Sequence, residues 1–343
     1  MKYHRTLTLV GALTGTLALA ATAASAQEKL KMATIAPGTS AYLTMTTFAN
    51  LVNQNQKNYN FTVDATGAAT KHGIELAQGK LDYAMSSPTV HFFLKNKKAM
   101  YKKLKNHAVL AKNIKLVMWF PYGQYHVVTY ANSGIKTLKD LKGKKVFLGP
   151  PGGGAWAGAR GWIKGATGMD VKKGDYENVK ASWSSAFQGF QDRQFDVYIN
   201  GGIAPYPQIE QLALTNKIRL LGLSKEEYAT NKGAQGYVNG LTGRELGIIK
   251  KGTYGGNVVM DHDVYTNAAS VGIVVRADIS VEQVYLVTKT FWEAVKKTRA
   301  STPWLADVKL DYAVQEGGMP LHAGAQKYYE EIGIAVPKGS RAN

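Results

Sequence analysis

The run Lys144 to Arg160, KKVFLGPPGGGAWAGAR, constrains this chain more than any other. Val146-Phe147-Leu148 is a short apolar run of strand-forming residues, which predicts a buried strand. Gly149 to Gly154 holds too much glycine and proline for the interior of a helix or strand, so it is a turn. From Ala155 onward, apolar residues recur at Ala155, Ala159, Trp162, Ile163 and Ala166, a helical stripe. The first amides of a helix lack partners within it and carry partial positive charge. Glycine lets that backbone approach a carboxylate, phosphate or sulfate. The stretch alone leaves two readings open, an anion site and a tight βα turn that binds nothing. It is not a P-loop, since no Gly-Lys-Ser/Thr follows the glycines. No acidic residue stands about 20 residues on at the spacing of a dinucleotide fold.

The first residues read as a targeting segment. Lys2, His4 and Arg5 precede an apolar run from Leu7 to Ala20, and Ala24-Ser25-Ala26 is a small-residue cleavage signal. Residues 1–26 are therefore expected to be a secretory signal peptide; the run is short and threonine-interrupted for an uncleaved anchor. No later stretch approaches the roughly 18 apolar residues of a membrane span. The mature chain is expected to be soluble and exported, in the periplasm of a Gram-negative source, and its length suggests two domains. The chain has no cysteine, which excludes disulfides, a thiol nucleophile and thiolate metal sites. The formal net charge is +18, or +16 without Lys2 and Arg5, so anionic partners are expected. No nucleic-acid motif is visible. The lysine run from Lys95 to Lys105 reads as a solvated face.

Along the chain, strand and helix signals alternate. Leu30–Ile35, Phe61–Ala65, Leu81–Met85, Leu116–Phe120, Tyr125–Tyr130, Phe195–Ile199, Ile218–Leu223 and Ala268–Arg276 read as strands. Helices are expected after Thr39 or Ser40, after Thr66–Thr70, from Thr137, from Ser184, over Pro205–Leu214, from Ser224, from Ser280 and over Leu321–Ile332. Ser224 with Glu227, and Ser280 with Gln283, form capping boxes. Lys232–Asp263 is rich in glycine and polar residues, and reads as a long surface excursion. The alternation argues for α/β architecture with mainly parallel sheets. Ligands of such sheets sit beyond the carboxyl ends of strands. Gly, Ser, Thr or Asn turns end strands near Pro37, Thr66, Ser86, Gly152 and Gly201, and a cleft between two lobes would bring these turns face to face.

An ordered set of motifs resembles the TAXI family of solute-binding proteins of TRAP (tripartite ATP-independent periplasmic) transporters. The set runs from Thr66-Gly67 and Gln78-Gly79-Lys80-Leu81-Asp82 to Ser133–Val146 with Leu148-Gly149-Pro150-Pro151-Gly152. It continues through Phe195-Asp196, Gly201-Gly202, Pro205–Ile209, Tyr254-Gly255-Gly256 and Val274–Asp278, and ends at Leu321–Tyr329. The resemblance spans nearly the whole mature chain. It implies a bilobal periplasmic-binding-protein fold of type II, with two α/β lobes joined by two crossover strands. One lobe would comprise 27–132 plus 268–343, and the other 133–267. It implies a small organic anion held between closing lobes and passed to TRAP membrane permease subunits driven by an ion gradient. The chain departs from the family at the ligand loops: Gly152-Gly153-Gly154-Ala155 stands where Gly-Ser-Gly-Thr is frequent, and Thr66-Gly67-Ala68-Ala69 where Thr-Gly-Gly-Ser is usual.

The candidate ligand-binding residues are Pro37, Gly38, Thr39 and Tyr42; Thr66, Gly67, Ala68, Ala69 and Lys71; and Ser86 and Ser87. From the second half come Gly152, Gly153, Gly154, Ala155 and Trp156, then Trp183, then Asn200, Gly201 and Gly202. The ligand carboxylate or sulfonate would meet the amides of Gly153 to Trp156, with Lys71 as a candidate charge-assisted partner. Tyr42, Trp156 and Trp183 would wall the cleft. Hydroxyls lost beside aromatics gained favour an organic acid with an apolar or aromatic body over glutamate. Histidine spacing shows no metal motif, Asp261-His262-Asp263 being the one possible trio. No nucleophile elbow is present. A monomeric binding protein without catalytic residues, cofactor or metal is expected. Service to an ABC importer or a sensor, or an exported enzyme on the same fold, are the alternatives.

Overall fold

The computed structural model describes residues 27–342, so the signal-peptide reading of residues 1–26 lies outside the described residues. The strands are β1 (Glu28–Ala33), β2 (Tyr59–Asp64), β3 (Tyr83–Ser86), β4 (Ile114–Tyr130), β5 (Lys145–Phe147), β6 (Glu177–Asn178), β7 (Val197–Gly202), β8 (Ile218–Leu221), β9 (Arg244–Ile249), β10 (Val258–Val259) and β11 (Val264–Arg276). They join in the order β2-β1-β3-β11-β4-β7-β5-β6. Pairing is parallel within each half, β1 with β2 and β3, and β5 with β6 and β7. The central strands run the other way: β11 is antiparallel to both β3 and β4, and β4 to β7.

The two long strands tie the halves together because each changes partner part-way. β4 pairs with β11 from Ile114 to Pro121, then with β7 from Gln124 and with β8 from Val127. β11 pairs with β9 from Val264 to Ala269, and with β4 from Ser270 onward. The result is a bilobal periplasmic-binding-protein fold of type II, two α/β lobes joined by two crossover strands. β4 reads as two runs in sequence because Pro121 and Gly123 stand at this change of partner. Gly123 has φ +99°, and a Cβ there would stand 2.2 Å from the carbonyl carbon of Gly202. Only glycine satisfies both conditions.

Several local expectations hold. Thr39 caps the helix Ser40–Asn55, and Ser224 with Glu227 forms a reciprocal capping box. Thr137 and Asp140 do the same for the short turn of helix before β5. Others need correction. The helix Trp183–Gln191 is capped by Ser182, not Ser184, because Ser182 Oγ accepts the Ser185 amide at 3.2 Å. Asn200-Gly201-Gly202 is not a turn beyond its strand but forms the last three residues of β7, paired with Gln124–His126. β3 ends at Ser86 as expected, and Ser87-Pro88 in addition opens a helix, Pro88–Lys95, with Ser87 as cap and proline in the first turn. Proline fits there because that amide has no partner to lose.

The largest correction is Lys232–Asp263. It holds the helix Lys232–Asn239 and strands β9 and β10, so it is no excursion. The helix is glycine-rich and polar, and sequence periodicity does not reveal it. It forms because it packs closely on the helix Gly154–Thr167. A Cβ on Gly165 would stand 2.7 Å from the Gly233 carbonyl oxygen, and one on Gly161 2.4 Å from the Tyr237 ring. Glycines that weaken each helix alone allow the two backbones to meet.

Candidate functional site

The cleft between the lobes is built from helix beginnings on both sides. The helix Gly154–Thr167 starts at Gly153 with no side-chain cap, and the helix Ala69–Ala77 starts at Ala68, also without one. Their first amides therefore have no acceptor within the helix and none from a capping side chain. Gly149, at φ +109°, turns the chain from β5 into this loop; a Cβ would crowd the Trp156 amide at 3.0 Å. Gly154 faces the other lobe, where a Cβ would sit 3.1 Å from Val90 Cγ2. Thr70 Oγ1 donates across the seam to the Gly152 carbonyl at 3.4 Å, and Thr89 Oγ1 to the Thr242 carbonyl at 3.3 Å. Both bonds span the two sides of the cleft.

Of the candidates, Gly67, Ala68, Ala69, Ser87, Gly153, Gly154, Ala155 and Trp183 line this cleft. Trp183 also packs edge-on against Phe147, with centroids 5.4 Å apart. The others lie elsewhere. Gly152 is the exposed turn residue before them, at φ +76°. Thr66 is tied to the Asp64 carboxylate by its hydroxyl at 2.7 Å. Ser86 is buried in β3 opposite Gly272. Pro37 is exposed, while Gly38, Thr39 and Tyr42 line a second groove with Ile203–Gln208 and Trp304.

Three corrections concern chemistry. Lys71 points to solvent with 72% of its side chain exposed and pairs with Glu75 at 3.3 Å, one helical turn on. Trp156 turns from the cleft: its indole N–H donates to Asn178 Oδ1 at 3.1 Å, and Arg160 lies 5.7 Å from its ring centroid. Asn200, Gly201 and Gly202 are buried in β7. The Asn200 amide is spent on Tyr198, Tyr206 and Gln208, and the rings of Tyr122 and Tyr206 cover the glycines. Asp261 and Asp263 of the possible metal trio are held by Arg219 and Lys250.

The residues that sequence reasoning missed supply most of the polar lining: Tyr122, Tyr125, Tyr237, Arg244, Asn267 and Ser270. Arg244 opens β9. One guanidinium nitrogen donates to the Tyr237 carbonyl at 3.1 Å, and the group lies 4.1 Å from the Tyr237 ring centroid. It has no carboxylate partner among the described residues, and no Asp or Glu lines the cleft. A guanidinium without a carboxylate partner and two bare helix starts thus set positive potential beside apolar walls from Val90, Phe93 and Val271.

Arg160, in contrast, is committed to structure. It grips the buried Asp170 with two bonds, and Lys164 lies 3.4 Å from the same carboxylate. Burial alone would raise the Asp170 pKa, but Arg160, the Lys172 amide and Lys164 outweigh it and lower it to about 2. A depressed carboxylate stabilises the fold fully above its unfolded pKa near 4 and loses that contribution as pH falls toward 2. Denaturation between pH 5 and pH 2 is expected to be steeper for wild type than for Asp170→Asn, as urea titrations at each pH would measure.

Two comparisons bear on this architecture. The sequence matches the NMT1-like family over residues 32–333. The chain belongs to that family. Its fold is shared with a protein of known structure from Bordetella bronchiseptica RB50: TM-score 0.52, 12% identity, 92% of this chain and 85% of the other covered. Weaker likenesses include the alkanesulfonate-binding protein SsuA from Xanthomonas axonopodis pv. citri bound to MOPS (TM-score 0.48, 17% identity, 89% and 83% covered). A TRAP periplasmic solute-binding protein from Roseobacter denitrificans with bound β-D-glucuronate gives TM-score 0.45 at 12% identity, 90% and 87% covered. No helix of the described residues is long and apolar enough to cross a membrane.

Proposed function

We propose that this NMT1-like protein is an exported, monomeric solute-binding protein that captures a small organic anion without turning it over. Residues 27–132 with 268–343 form one lobe in this reading, and 133–267 the other. The observation that carries it is the convergence on one cleft of Arg244 and two uncapped helix beginnings, one from each lobe. The titratable groups lining the cleft are tyrosines and one arginine, and burial drives the Tyr125 phenol well above its usual range. Such a lining suits binding and offers no acid–base pair near neutrality.

The TAXI-like motifs favour a TRAP permease as recipient. A large fused permease gene beside this one supports that recipient, whereas an ATPase gene supports an ABC importer. The binding claim is tested by a thermal-shift screen of carboxylates and sulfonates against neutral and cationic compounds. A ligand at about 100 times its Kd adds about 2.7 kcal/mol to the folded state, so at least one organic acid is expected to raise the melting temperature by several degrees. A panel in which only neutral or cationic compounds do so would overturn the reading.

A further inference from the structure

The crossover strands bring two polar groups to the cleft that the rest of the protein leaves without partners. Asn267, on β11, is 1% exposed, and its Oδ1 has no hydrogen-bond partner. Tyr125, on β4, is 4% exposed and lines the same cleft, and its hydroxyl bonds to no described residue. The strands are fastened here, since Thr266 Oγ1, one residue before Asn267, donates to the Tyr125 carbonyl at 2.9 Å. The Tyr125 hydroxyl lies against the helix Gly154–Thr167, where a Cβ on Gly158 would stand 2.9 Å from it. Buried polar atoms cost free energy unless they are bonded. Asn267 Oδ1 is such an atom, and with the Tyr125 hydroxyl in the same lining it marks where a ligand supplies the missing bond.

We infer that the ligand carries a neutral hydroxyl group besides its anionic group, and that Asn267 and Tyr125 bind that hydroxyl. This rests on the anion reading of the cleft. An amide and a phenol each donate and accept, and a hydroxyl answers both. An ammonium group is the wrong complement. The Glu245 carboxylate abuts the lining but is already engaged by the Ser270 and Tyr312 hydroxyls at 2.5 and 2.6 Å, and with Arg244 in the cleft an α-amino acid would bury a positive charge without a free counter-charge. The site therefore selects hydroxy acids and rejects zwitterionic amino acids of the same skeleton.

Calorimetric titration of the whole mature protein with mandelate, 4-hydroxyphenylacetate, phenylacetate and phenylglycine tests this. These probes present a hydroxyl, hydrogen or ammonium on one aromatic acid framework. At least one hydroxy acid is expected to bind about tenfold tighter than phenylacetate, the worth of one or two satisfied bonds, and phenylglycine at least tenfold weaker than phenylacetate. In Asn267→Leu and Tyr125→Phe the hydroxyl preference is expected to collapse while phenylacetate still binds. Tyr125→Phe removes a hydroxyl with no internal bond, so its melting temperature should match wild type and keep the test independent of folding. Hydroxy acids no better than phenylacetate, phenylglycine as tight as the best acid, or a preference surviving both substitutions would each overturn the inference. Failure of all the acids to bind would overturn the anion reading beneath it as well.

Discussion

Arg244→Met is expected to weaken the binding of an organic acid by roughly ten- to a hundredfold. Hydrogen bonds to a charged group contribute about 1.5–3 kcal/mol, and each 1.4 kcal/mol is about tenfold in Kd. Methionine keeps much of the stem's volume, so the loss is mainly that of the guanidinium. The same change removes one bond to the Tyr237 carbonyl and the stacking on its ring. Both are half-buried, and their loss should lower stability by about 1–2 kcal/mol. Arg244→Lys restores the charge without the planar fork and should bind with intermediate affinity. Calorimetry on the three proteins separates these cases. An affinity for Arg244→Met within twofold of wild type would remove this residue from the site.

Gly123→Ala is expected to be strongly destabilising for the addition of a single methyl group. A left-handed backbone costs a residue with a Cβ about 1–2 kcal/mol. Crowding a packed interior costs about 1–3 kcal/mol more. Here the new atom meets Gly202 backbone at 2.2 Å, which no rotamer change relieves. A loss of about 2–5 kcal/mol follows, a large share of typical domain stability. Gly134→Ala isolates the backbone contribution, because Gly134 has φ +78° with open space around it. It should lose only about 1–2 kcal/mol. Urea unfolding of both variants gives the comparison, and equal losses would show that the contact between β4 and β7 yields more easily than its geometry suggests.

Much of the architecture is legible in the sequence because local chemistry and tertiary structure agree there. Val146–Leu148, the glycine loop and the apolar stripe from Ala159 to Ala166 each announce their conformation, and Thr39, Thr137 and Ser224 announce helix starts that the structure shows. The site is less legible. Arg244 and Tyr237 sit where Gly233, Gly236 and Gly240 erase the periodicity, and the helix there exists by virtue of its neighbour. The signal available was Glu245-Leu246-Gly247-Ile248-Ile249, a short β-prone run just after Arg244. Ser87-Pro88 follows a true strand end and also carries a helix-start signature, which the strand reading by itself leaves out. Trp156 and Lys71 have the right sequence positions for a binding role, but Asn178 and Glu75 claim them, and such long-range or one-turn partners are invisible without coordinates.

The close packing of the helices Gly154–Thr167 and Lys232–Asn239 has a consequence for the order of events in capture. The bare amides at Gly154 and the Tyr237 ring beside the Arg244 guanidinium belong to two helices whose backbones meet at Gly161, Gly165 and Gly233. In the proposed binding reading, the anionic end of a solute meets groups held together by this packing, and Val90 and Phe93 of the other half cover its apolar side. Long-range attraction sets the speed of landing, while dry contact sets the duration of the stay.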